Sequence, residues 1–63
     1  MTSVEKDILT VVRILRLRPT QLLEAMRNYE DRVVREAMQT LIYDDKLILS
    51  SDRYLEIPME LKF

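Results

Sequence analysis

Residues 31–57, DRVVREAMQTLIYDDKLILSSDRYLEI, decide how this chain folds. Val34, Ala37, Met38, Leu41 and Ile42 recur at the spacing of one helical face, which predicts a helix running from Asp31, its N-cap, to the break at Asp44-Asp45. Arg32, Arg35, Glu36, Gln39 and Tyr43 fall on the opposite face. Beyond Asp45 the pattern turns from helical to β-type. Leu47-Ile48-Leu49 and Tyr54-Leu55-Glu56-Ile57 are short runs separated by the polar knot Ser50-Ser51-Asp52-Arg53, which predicts a hairpin. Pro58 ends the second strand because it has no amide for a ladder. Leu47, Leu49, Leu55 or Ile57 close the core beneath the helix, and strand alternation means that they are not all buried equally.

Two helical segments precede this stretch. Thr2 and Glu5 have the spacing of a capping box. Val4, Ile8, Val11, Val12 and Leu15 then form an apolar stripe, with Lys6, Leu9, Thr10, Arg13 and Arg16 on the other side. The first helix is expected from Ser3 to Leu15 or Arg16. Pro19 pushes Arg18 toward extended backbone and suits the first position of a second helix. Leu22, Leu23 and Met26 face the core of that helix, Ala25 suits close packing, and Asn28 is expected to end it in a left-handed conformation. The result is an α+β domain, mainly α: three helices followed by a two-stranded β-hairpin. One domain is expected over residues 1–63, with its core in about 4–57 and a tail, 58–63, that alternates apolar and polar residues.

Composition removes several function classes. The 63 residues contain no Cys, His or Gly. Disulfides and thiolate metal sites are therefore absent, as are the commonest general base and zinc ligand. No glycine-rich phosphate loop can be written either. Adjacent Asp44 and Asp45, with Asp52, lack the spacing of a calcium loop and read as turn residues. A chain this short has little room for a deep pocket, so no enzyme, metal or cofactor is expected. No apolar run approaches the ~18 residues of a membrane span, and no basic segment leads into an apolar block near Met1. A cytoplasmic protein is the expectation.

Net charge is −1, but it is unevenly spread. Residues 11–35 carry six Arg against Glu24, Glu30 and Asp31, a balance of +3. Residues 36–63 carry Lys46, Arg53 and Lys62 against Glu36, Asp44, Asp45, Asp52, Glu56 and Glu60, a balance of −3. Two faces with different partners, or two solvated faces, follow from this asymmetry.

The run Ala37-Met38-Gln39-Thr40-Leu41-Ile42-Tyr43-Asp44-Asp45-Lys46-Leu47 resembles the end of the recognition helix in winged helix-turn-helix proteins. Leu22-Leu23-x-x-Met26 is similar to the second-helix pattern of the same superfamily. The resemblance covers about residues 4–57. It implies a winged helix whose third helix reads DNA, with Leu17 as a very short strand joining the wing and Asp45 at a position where many members have Gly. Two departures stand out. Arg27-Asn28 occupies the place where Gly often follows the second helix, and the wing has no basic cluster beyond Arg53.

On this reading Arg32, Arg35, Glu36 and Gln39 are base-contact candidates, because Arg suits guanine, Gln adenine, and Glu accepts from cytosine. Arg13, Arg16, Arg18, Arg27, Tyr43 and Arg53 are phosphate-contact candidates. Leu9, Met59, Leu61 and Phe63 are candidates for association, and a homodimer would match a two-half-site operator. The expected function is a small transcriptional regulator that binds double-stranded DNA. The alternative is a protein-interaction module, an inhibitor or adaptor that uses the acidic wing and tail. The plainest reading of the third-helix face is a solvated surface in which Arg32 pairs with Glu36.

Overall fold

The computed structural model describes residues 2–58, so the association candidates Met59, Leu61 and Phe63 lie outside the described residues. Helix α1, Ser3–Ile14, starts with the expected capping box. The Glu5 amide donates to Thr2 Oγ1 at 3.3 Å, and the Thr2 amide donates to Glu5 Oε1 at 3.1 Å. Both bonds satisfy amides that the first helical turn leaves without partners. Ile8 and Val12 are buried, with Val4, Leu9 and Val11 packed at the edge of the core. Leu15 departs from the expected stripe: the helix stops one residue earlier, and Leu15 is its extended C-cap, 50% exposed.

Helix α2, Pro19–Ala25, begins where Pro at the first position costs no hydrogen bond. Its N-cap is Arg18, whose amide donates to Gln21 Oε1 at 2.9 Å. That contact leaves the Arg18 side chain unused by the cap. Leu22 and Met26 are buried and Leu23 is partly buried, but Ala25 is exposed and mediates no close packing. Asn28 does not take the left-handed conformation. The helix already ends at Met26, and the Tyr29 amide closes the turn by donating to the Met26 carbonyl at 3.0 Å. Tyr29 then ties this turn to α1, its hydroxyl donating to Asp7 Oδ2 at 2.7 Å.

Helix α3 spans Asp31–Tyr43, and its N-cap is Glu30 rather than Asp31. Glu30 has the extended backbone of a cap, and its carbonyl accepts the Val34 amide at 3.1 Å. Asp31 becomes the first helical residue, where its carboxylate favours the positive end of the helix dipole. Val34, Ala37, Met38 and Leu41 are buried, whereas Ile42, at the margin of the stripe, is 40% exposed.

The end of α3 is a Schellman motif. The Lys46 amide donates to the Leu41 carbonyl at 2.9 Å and the Asp45 amide to the Ile42 carbonyl at 3.1 Å. Asp45 has φ 61°, the left-handed region this motif requires and where Gly is most at ease. The chain therefore reverses within three residues and delivers Leu47 into the core with no exposed surface.

Strands β1, Ile48–Leu49, and β2, Leu55–Glu56, pair antiparallel with Ile48 opposite Glu56 and Leu49 opposite Leu55. Residues 50–54 join them. The Arg53 amide donates to the Ser50 carbonyl at 2.8 Å, and Arg53 then takes φ 70°, again a position usually given to Gly. Leu17 forms no strand, but the Leu55 amide donates to its carbonyl at 2.8 Å, so the α1–α2 connection lies alongside β2. Leu55 is 2% exposed, whereas Leu49, toward the hairpin tip, remains half in solvent. Ile8, Leu22, Val34, Leu41, Leu47 and Leu55 are the most deeply buried large side chains, drawn from every helix and from the hairpin segment. Each contributes about 1.5–3 kcal/mol by leaving water.

Asp45→Gly should raise stability by about 0.5–1 kcal/mol in urea unfolding. It removes a left-handed cost of about 1–2 kcal/mol and adds a smaller entropic one. Asp45→Val should lower stability, since a β-branched side chain fits φ 61° poorly. Equal stability in all three proteins would contradict the strained turn.

The Tyr29 hydroxyl titrates above its ordinary value of 10.0, chiefly because its hydrogen bond to Asp7 holds the proton. A raised folded-state value means that the contact contributes fully below about pH 10 and is lost as pH rises through the folded value. The stability difference between the protein and Tyr29→Phe should therefore stay constant from pH 7 to 9 and close above pH 10. A difference that persists unchanged at higher pH would show that the hydroxyl contact contributes nothing.

Candidate functional site

The outward face of α3 is the first of two concentrations of polar chemistry. Arg32, Arg35, Glu36, Gln39 and Tyr43 are all exposed, as their position opposite the buried stripe requires. Glu36, Gln39, Thr40 and Tyr43 line a shallow, open depression along this face. Tyr43 stands 88% exposed at its C-terminal end. Among the described residues the one ion pair within 4.0 Å is Arg16–Asp52, so Arg32 and Glu36 do not form the pair that a purely solvated face would suggest. The guanidinium groups of Arg32 and Arg35 are thus left without a carboxylate partner among the described residues. This face offers donors and acceptors on a rigid helix anchored by Val34, Ala37, Met38 and Leu41.

The second concentration forms where the α1–α2 connection meets the hairpin. Leu17 is held by the bond from the Leu55 amide and is partly buried. Its neighbours Arg16 and Arg18 flank it in a connection that is extended at both Leu15 and Arg18, and residues two apart in extended backbone share a side. Both guanidiniums lie on the ring of Tyr54, the Arg16 Cζ 4.6 Å and the Arg18 Cζ 5.0 Å from its centroid. Contacts of this kind contribute about 0.5–1 kcal/mol each at exposed sites. Arg16 Nη2 also lies 3.6 Å from Asp52 Oδ2, both side chains being largely in solvent.

The structure thus brings together Arg16 and Arg18, and it places Arg53 next to Tyr54 in the chain, on the hairpin loop. Arg13, in the last turn of α1, and Arg27, in the α2–α3 turn, are exposed and belong to neither cluster. The binding candidates that the sequence offers do not include Tyr54 or Asp52. Tyr54 reads as a strand residue and Asp52 as part of a turn. The available signal was the Arg16-Leu17-Arg18 alternation before Pro19, which puts both cations on one side of an extended connection.

Leu9, expected at an association surface, is half-buried against the protein's own core. Ile14 and Leu15, which sequence reasoning did not assign to association, are 73% and 50% exposed at the end of α1. Asp44 and Asp45 serve the helix stop, and among the described residues no group of three metal-ligating side chains comes together. No helix among the described residues is long and apolar enough to cross a membrane. In comparisons with protein-family models, curated proteins and solved structures, the chain matches none.

Proposed function

We propose that this chain is a winged-helix protein that binds double-stranded DNA through α3 and acts in transcriptional regulation in the cytoplasm. The observation that carries the reading is the α3 face, where Arg32, Arg35, Glu36 and Gln39 stand in solvent without an ion pair among the described residues. A helix of this kind presents bidentate donors and acceptors to base edges in a major groove. Three further features support it. A hairpin follows α3, the Leu17 carbonyl extends that hairpin on its β2 side, and Asp45 takes the left-handed turn between helix and hairpin. Arg16 and Arg18 supply phosphate contacts beside the hairpin, which fix register without reading sequence. Two copies would match an operator of two half-sites.

A second reading has its own observation. Ile48 and Leu49 leave 38% and 50% of their surface exposed on β1, within the acidic half of the chain. A protein partner that covers this strand would make the domain an interaction module. Its binding would be sensitive to the hairpin and indifferent to α3.

The two readings separate in a titration of variants against a selected duplex and a random one at several salt concentrations. On the DNA reading, Arg35→Ala or Gln39→Ala loses about 1–3 kcal/mol on the selected site and relaxes preference at one base pair. Arg16→Ala weakens binding to both duplexes and makes the salt dependence shallower by roughly one unit of slope. Absence of salt-sensitive binding by the unmodified protein, even at low salt, would remove the DNA reading.

A further inference from the structure

Arg16, Arg18, Tyr54 and Asp52 make a constellation that a generic basic surface does not have. Two cations lie on one aromatic ring, and the backbone that carries them is pinned to β2 by the 2.8 Å bond between Leu55 and Leu17. The ring itself is half-buried, and its backbone is fixed on both sides. The Tyr54 carbonyl accepts from the Ser50 amide at 2.8 Å and its amide donates to Ser50 Oγ at 3.2 Å. Both guanidiniums thus rest on a ring whose backbone is fixed, which lowers the ordering cost of binding a ligand there. Asp52 reaches the cluster from the hairpin loop and sits 3.6 Å from Arg16, so that a carboxylate oxygen occupies the approach to one of the two cations. Phosphodiester oxygens and carboxylate oxygens present the same chemistry to a guanidinium fork.

We infer that the Arg16–Tyr54–Arg18 stack is a preformed clamp for a DNA backbone phosphate, and that Asp52 is its internal competitor, displaced from Arg16 when the phosphate binds. The inference rests on the DNA reading above and deepens it. Arg18 has no carboxylate partner among the described residues and makes the first contact. Arg16 exchanges Asp52 for the phosphate. Tyr54 positions both side chains and needs only its ring to do so. Because the Arg16–Asp52 pair is exposed, its displacement costs little, and Asp52 tunes affinity rather than blocking it.

The test is a double-mutant cycle on the full chain, read as affinity for random duplex DNA at low salt. Asp52→Asn should bind about two- to five-fold tighter, the range set by the strength of an exposed ion pair. In an Arg16→Ala background the same change should have almost no effect, because the competitor then has nothing to occupy. Tyr54→Phe should bind as the unmodified protein does, whereas Tyr54→Leu should weaken binding. Asp52 is solvent-exposed, so its variant reports on the site rather than on folding. An equal gain from Asp52→Asn with and without Arg16 would show a net-charge effect only and overturn the clamp, as would no gain at all. A parallel titration with inorganic phosphate, following the side-chain Nε resonances of Arg16 and Arg18 by NMR, separates phosphate binding from DNA binding. A phosphate response at both arginines, stronger in Asp52→Asn, with no duplex binding would keep the Asp52-gated phosphate site and overturn DNA as the source of the phosphate. Duplex binding without the Arg16–Asp52 coupling leaves the DNA reading standing and removes the clamp.

Discussion

The rest of the domain depends on how α3 ends. Two backbone hydrogen bonds, Lys46 to Leu41 and Asp45 to Ile42, close the helix through a left-handed residue at φ 61°. This turn directs Leu47 back under the helix, where it is fully buried, and sets the start of β1. A straight continuation of α3 would carry Leu47 out into solvent. The pairing of β1 with β2, and of β2 with the Leu17 carbonyl, follows from where that turn sends the chain. A chain without glycine makes the reversal with Asp, which tolerates the left-handed region better than most side chains do.

With so few residues the core is small, and Ile14, Leu15, Ile42 and Leu49 keep 40% or more of their surface outside it. Each helix gives one stripe to the core, and the hairpin segment gives Leu47 and Leu55. Outward on α3 a row of polar side chains runs between the exposed Val33 and Ile42, on a support held by the buried stripe. The Leu17–Leu55 bond has a similar double role. It satisfies the outward amide of Leu55 on β2 and fixes the connection from which Arg16 and Arg18 project. The scaffold and the polar surface are thus set by the same few backbone contacts.

Helix existence, order and buried faces were legible because apolar spacing reports the side of an element that meets the core. The Thr2–Glu5 box, the hairpin and the helix stop at Asp44-Asp45 were legible for local reasons, whereas the left-handed backbone of Asp45 is a finding of the structure. The helix ends were less so. Glu30 rather than Asp31 caps α3, Asn28 stays out of the left-handed region, and Leu15 leaves the stripe, since backbone closure and not side-chain preference decides these ends. On α3 the outward side chains followed from the periodicity alone. The Tyr54 cluster did not, because its members lie at positions 16, 18, 52 and 54 and meet only after the connection docks on the hairpin. Long-range backbone pairing of that kind leaves no periodic trace in the chain.

Duplex DNA is proposed to meet the outward face of α3. The most direct measurement is a titration of isotopically labelled protein with a short duplex at low salt, following every backbone amide by NMR. If DNA binds there, the largest shifts fall on residues 32–39 of α3, with a second group at Arg16, Arg18 and Tyr54. Shifts confined to the apolar surface of Ile14, Leu15, Ile48 and Leu49, with the α3 amides unmoved, would contradict it.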